Sequence, residues 1–195
     1  YVASLCRWRE TALPTAIGEP DMYVQEAVQS YSSWLAAHGG MAAIERVYAG
    51  AGSYAHAWNE HFSVEHDPSQ VLGESNVFRY QPIRNMLIRV SQPAELADGL
   101  IAAMAAQTCG VPAMLSVEPG VDWPLDAIDG VAEDEPAFAE RLMSFERVRA
   151  FLPASRAVHE AANGAHTLII DTPLLLTGRL ELRNYLREQA VTQTM

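Results

Sequence analysis

His56, His61 and His66 recur at intervals of five residues and are interleaved with Glu60 and Glu65. Imidazoles and carboxylates in one short stretch are metal-ligating and acid–base groups, so a metal-dependent hydrolase is one reading of this cadence. A helical site of that kind needs two histidines on one face, as in His-Glu-x-x-His or its inverse. A spacing of five turns a helix by about 500° rather than near 400°. Surface or cap histidines fit better, with His66 beside Asp67-Pro68 as a turn residue. A second constellation, Gly50-Ala51-Gly52-Ser53-Tyr54-Ala55, satisfies the G-x-G-x-x-(G/A) dinucleotide pattern of an NAD-dependent oxidoreductase. That loop requires a strand entering the first glycine, so that amides meet a pyrophosphate, whereas Met41 to Ala49 has helical character. Glu74 and Asn76 could be a carboxylate and an oxyanion donor; the simpler reading is a tight turn permitted by Gly73, with both side chains bonded locally. No Gly-x-Ser-x-Gly elbow exists. The expectation is a chain without catalytic, cofactor-binding or metal-ligating residues.

Composition narrows the classes further. All thirteen basic residues are arginine, which excludes a Schiff-base lysine and a P-loop lysine. The net charge of −11 and pI of about 4.9 leave no electrostatic footprint for nucleic acid. A hydrophobic content of 49% with 19% charged residues is that of a folded globular chain. The longest apolar run, around Leu100 to Ala106, is too short to cross a bilayer. No secretory signal opens the chain. Cys6 and Cys109 stand far apart, outside any Cys-x-x-Cys spacing, as reduced thiols of a cytoplasmic protein would. The chain begins at Tyr1 and stops mid-pattern at Met195, and so reads as a piece of a longer polypeptide.

These residues must be positioned by two kinds of element. Residues Val2 to about Phe62 read as mostly helical: Asp21 is an N-cap, Gly39-Gly40 ends the first helix, and a second continues through Met41, Tyr54 and Phe62. Gly50 and Gly52 predict a weak or broken segment there. From Val77 the period changes. Val77–Tyr80, Met86–Val90, Pro112–Val117, Arg147–Leu152 and His166–Asp171 read as strands. Between them lie helices from Pro93 to about Gly110, from Glu133-Asp134-Glu135-Pro136, and from Ala154 to Ala162. Such alternation implies a parallel sheet with right-handed crossovers. The expectation is a helical arm over residues 1–65 and a small three-layer α/β, Rossmann-like domain over residues 66–195. From Tyr185 on, the tail alternates as a strand predicted to remain unpaired, so that it associates with a second copy or frays.

Three stretches carry a family resemblance. Tyr1-Val2-Ala3 resembles the residues just after the end of an aldehyde dehydrogenase module. The run from His66 through Gly73, Glu74, Asn76, Arg79 and Pro82, continuing into Arg84–Arg89, resembles the entry to the C-terminal domain of bacterial proline utilization A. Leu182–Val191, with Tyr185, Arg187, Glu188 and Gln189, is similar to that family's tail strand. The family couples a flavin-dependent proline dehydrogenase to an NAD-dependent glutamate-semialdehyde dehydrogenase. The resemblance implies an aldehyde-dehydrogenase-like Rossmann domain that has lost cofactor binding, with NAD and FAD held upstream in the parent. Its implied partners are the aldehyde dehydrogenase module of the same polypeptide, whose substrate tunnel it helps to close, or a second copy through the tail strand. The acidic charge balance and the short apolar run, rather than the resemblance, leave neither nucleic acid nor membrane as an expected partner of this chain. The strand ending Val117-Glu118-Pro119 fits this loss, because an active module has lysine where Glu118 stands.

Overall fold

The computed structural model describes residues 12–15, 17–68, 72, 74–123 and 129–194. Asp21 caps the first helix, α1 (Met22–Ala57), its carboxylate accepting the Val24 amide at 2.9 Å. The helix kinks at Gly40, whose φ of +66° is open to glycine at little cost. Beyond that residue it runs unbroken through Gly50 and Gly52, contrary to the predicted break. The cause is packing. A Cβ on Gly50 would lie 3.0 Å from Ile101 Cγ2, and one on Gly52 would lie 2.3 Å from Ile17 Cγ2. Close approach of neighbouring elements outweighs a propensity penalty of about 1 kcal/mol per glycine. A single π-helical turn, Trp58–Phe62, ends the helical region.

Nine residues then form β1 (Glu74–Pro82), and β2 (Met86–Val90) comes next. A 3₁₀ turn with Pro93 at its start leads into α2 (Leu96–Thr108), which Gly110 closes at φ +68°. Beyond it lie β3 (Ala113–Val117), β4 (Gly130–Ala132), α3 (Glu135–Arg141), β5 (Arg147–Arg149), α4 (Arg156–Ala165) and β6 (Leu168–Ile170). A short α5 (Gly178–Glu181) and a 3₁₀ turn to Tyr185 precede β7 (Leu186–Thr194). The sequence pattern predicted neither β4 nor α5; each is three or four residues long, too short for periodicity to show.

Five strands make a parallel sheet in the order β4-β3-β2-β5-β6. Met86, Ile88, Val90, Leu115 and Val117 lie in the larger core with α1 and α2. Leu87 and Val148 pack with Phe138, Leu142, Val158 and Ala162 of the opposite layer. The result is three layers, with the helix before residue 66 sharing the larger core.

The first and last strands stand apart from this sheet. The tail is not unpaired as predicted: β7 runs antiparallel to β1 from Glu74↔Thr194 to Pro82↔Leu186, as a two-stranded ribbon. The two outer edges of the ribbon are not equivalent. β1 is touched on its outer side at one point, where His66 bridges Phe78, while no strand lies against the outer side of β7 among the described residues.

Candidate functional site

In an open parallel sheet, ligands bind outside the carboxyl ends of the strands, where the strand order reverses. Here that point lies between β2 and β5. The sequence places charged side chains at nearly every strand end around it, and the chain pairs them with one another. Arg89, 4% exposed on β2, donates to Ser116 Oγ at 2.9 Å and to the Glu133 carbonyl at 2.8 Å. It also pairs with Glu118 and lies 4.9 Å over the Phe138 ring. Burial pulls its pKa down, and Glu118 and Glu133 oppose that shift. Glu118, the residue standing where a cofactor lysine is expected, is thus held by Arg89.

The first βα turn is closed in a similar way. A pyrophosphate needs free amides at the start of the helix after the strand. Pro93 removes one of them, and the Ser91 amide donates to Glu95 Oε2 at 2.7 Å. Glu95 is 4% exposed, and burial raises its pKa. A carboxyl group of the chain itself therefore takes the Ser91 amide at this turn. One turn later, Asp98 accepts from Arg46 at 2.7 Å.

At the end of β5, Arg149 is wholly buried. Its Nε donates to Glu181 Oε1 at 2.8 Å, and its Nη1 donates to the carbonyls of Ala150 and, at 2.7 Å, Thr172. Burial is the largest single influence and opposes the charge, and Glu181 together with Tyr185 and Tyr54 outweighs it, so the guanidinium pKa is raised. Glu181 also accepts from the Leu175 amide at 3.0 Å and from Tyr185 Oη at 3.4 Å. Tyr185 of the tail motif thus closes the crevice rather than joining the ribbon. Each buried arginine at the switch point has a carboxylate of the chain for its partner.

The other sequence candidates fall elsewhere. Gly50 and Gly52 lie inside α1 with no strand before them, and Gly52 accepts the Gly18 amide at 2.8 Å through its carbonyl. Among the described residues no three histidine, cysteine or carboxylate side chains gather as a metal site. His56 stands on α1, whereas His61 and His66 stack at 4.6 Å between ring centroids. The π turn Trp58–Phe62 holds His61 alone of the three, and periodicity at 3.6 residues does not foresee that turn. Cys109 is buried at the end of α2, where desolvation raises its pKa above the usual thiol range; Cys6 lies outside the described residues.

The family-motif residues meet in the ribbon. Arg79 faces Gln189 and donates to its Oε1 at 2.7 Å; Tyr80 faces Glu188; Gln81 faces Arg187. Asn76 Nδ2 donates to Glu74 Oε2 at 3.2 Å, so the two side chains bond each other where bonds to local backbone were expected. Pro82 ends β1 opposite Leu186. Arg187 donates through Nε to Glu146 at 2.8 Å, pinning the ribbon root to the sheet domain. Gly73 and Tyr1-Val2-Ala3 lie outside the described residues.

No protein-family model and no curated protein matches the chain. Solved structures do. Proline utilization A from Corynebacterium freiburgense matches at TM-score 0.60 and 24% identity, over 97% of this chain and 16% of its own. Proline utilization A from Bradyrhizobium japonicum matches at 0.59 and 15%, over 78% of this chain and 19% of its own. A putative aldehyde dehydrogenase from Burkholderia cenocepacia matches at 0.62 and 14%, over 78% and 38%. The fold is that of the aldehyde dehydrogenase superfamily. The chain spans a sixth to two fifths of the length of these structures. Where the strand order of this sheet reverses, Arg89, Glu95 and Arg149 are each bonded to groups of the chain itself.

Proposed function

We propose that this chain is a non-catalytic C-terminal domain of a proline-catabolic oxidoreductase, one that converts proline to glutamate through pyrroline-5-carboxylate. The observation that carries the reading is the buried pair Arg149–Glu181, the buried Arg89 held by Glu118, and the buried Glu95 on the Ser91 amide, at the carboxyl edge of the sheet. Groups that would meet a cofactor are spent on one another. NAD, and FAD if the parent carries a proline dehydrogenase barrel, then belong to upstream modules. The likeness to proline utilization A supports the placement in a longer polypeptide.

In this reading the ribbon is the docking element. A two-stranded ribbon is marginal alone, and this one has a half-buried β1, a largely exposed β7 and, among the described residues, a free β7 edge. That edge adds to the aldehyde dehydrogenase module of the same cytoplasmic polypeptide by β-augmentation and helps to close its tunnel. A second copy takes its place when the module is missing. Sedimentation of the chain mixed with the dehydrogenase module tests this. A complex that disappears when Arg187–Met195 are deleted is expected; a complex that survives the deletion, or none at all, contradicts the docking role. An assay of the chain alone on glutamate semialdehyde with NAD should stay at blank. Turnover that vanishes in Cys109→Ala would contradict the non-catalytic role.

A further inference from the structure

At the ribbon root the chain assembles a cationic corner that neither the crevice nor the ribbon pairing uses. His66 Nε2 donates to the His61 carbonyl at 2.9 Å, His61 Nε2 meets Tyr80 Oη at 3.2 Å, and the two imidazoles stack. Tyr80 lies opposite Glu188, and Glu188 is 3.7 Å from Arg183. Arg179, one helical turn before Arg183 and exposed, forms no ion pair or hydrogen bond among the described residues. The Nδ1 atoms of both histidines likewise have no partner among the described residues. Glu188, at 3.7 Å from Arg183, is the carboxylate in ion-pair distance of these two arginines among the described residues, while Glu65 and Asp67 flank His66 in the chain.

We propose that this corner is an oxyanion site, where Arg179, Arg183, His61 and His66 take a small dianion of phosphate or dicarboxylate type. Planar guanidinium groups suit such an anion, since each can give two parallel hydrogen bonds. The Tyr80 hydroxyl donates to neutral His61 at Nε2, which leaves Nδ1–H of His61 as a donor. Because His66 Nε2 must donate to a carbonyl, its Nδ1 becomes a donor only on protonation. Anion binding is therefore coupled to proton uptake. The groups facing His61 are His66, Tyr80, Arg179 and Arg183, with Glu188 behind Tyr80. Burial first, and then Arg179, His66 and Arg183, holds the His61 pKa below its ordinary value. A bound dianion reverses the three electrostatic contributions.

The test is imidazole titration of the whole chain by NMR, with inorganic phosphate, succinate, or sodium chloride at matched ionic strength. Phosphate or succinate should raise the His61 pKa by about one unit, saturably, and more tightly at pH 6 than at pH 8. In Arg179→Gln the affinity should fall about tenfold or more, as expected for loss of a charge-assisted hydrogen bond. A response to phosphate alone marks a phosphoryl site, and a response to both marks a general dianion site. Equal effects of phosphate, succinate and chloride, or an unchanged affinity in both Arg179→Gln and Arg183→Gln, overturn the proposal. Dispersed amide spectra of the variants show that they fold. The docking role of the ribbon stands or falls separately.

Discussion

Removing Glu181 should strand a buried cation. Arg149 and Glu181 have side chains 0% and 1% exposed, and Glu181 accepts from Arg149 Nε, Arg149 Nη2, the Leu175 amide and Tyr185 Oη. Replacing both members of such a pair by apolar residues is often nearly neutral, but deleting one leaves an uncompensated charge and costs about 3–5 kcal/mol. A domain of this size loses about 2–4 °C of Tm per kcal/mol. Glu181→Leu should therefore lower Tm by about 6–20 °C. Glu181→Gln keeps the shape and an acceptor, and should fall between this and the unaltered chain. The double variant Arg149→Met/Glu181→Leu should recover at least half of the loss. Thermal unfolding at pH 7 measures the Tm of all three, and urea denaturation gives the corresponding free energies. A Glu181→Leu cost under about 1 kcal/mol would mean that water reaches Arg149, and the closed crevice would be wrong.

A Cβ on Gly178 would lie 2.5 Å from the Ser53 carbonyl oxygen, which is helix backbone and cannot move aside, so Gly178→Ala should cost about 2 kcal/mol or more by denaturant midpoint. The folded pKa of His61 lies below its ordinary 6.5, so its contribution to stability is present above pH 6.5 and lost as pH falls through the lowered value. His61→Phe should flatten the decline in stability between about pH 7 and pH 5, read from urea unfolding. Glu95 has the opposite slope: its raised folded pKa favours the neutral form, so stability falls as pH rises from 4.5 through the raised value. Glu95→Gln should remove that fall, seen as a smaller difference in Tm between pH 5 and pH 8.

The parallel sheet was legible because Met86–Val90 and Ala113–Val117 are short apolar runs bounded by Pro, Gly and Asn, with Pro93 and Asp134 marking helix starts. The continuous helix through Gly50 and Gly52 was not, because its cause is contact with Ile101 and Ile17, remote in the chain. Nor was the pairing of β7 with β1. Alternation reveals a strand but not its partner, and Arg79 and Gln189 are 110 positions apart. At the crevice, Glu118 could be singled out from the sequence, but its partner Arg89 could not. Nothing in the sequence around Glu95, Arg149 and Glu181 marks them as the charges that the fold buries. A charged residue inside an apolar strand, as in Met-Leu-Ile-Arg-Val, is the one signal that could have pointed to Arg89.

Closure of this Rossmann frame to a dinucleotide by its own side chains is tested most directly by isothermal titration of the chain with NAD. The expected result is no saturable heat up to about millimolar NAD, where an intact frame would give clear binding. A micromolar dissociation constant, weakened by substituting Ser116 or Arg89 at the strand ends, would contradict it.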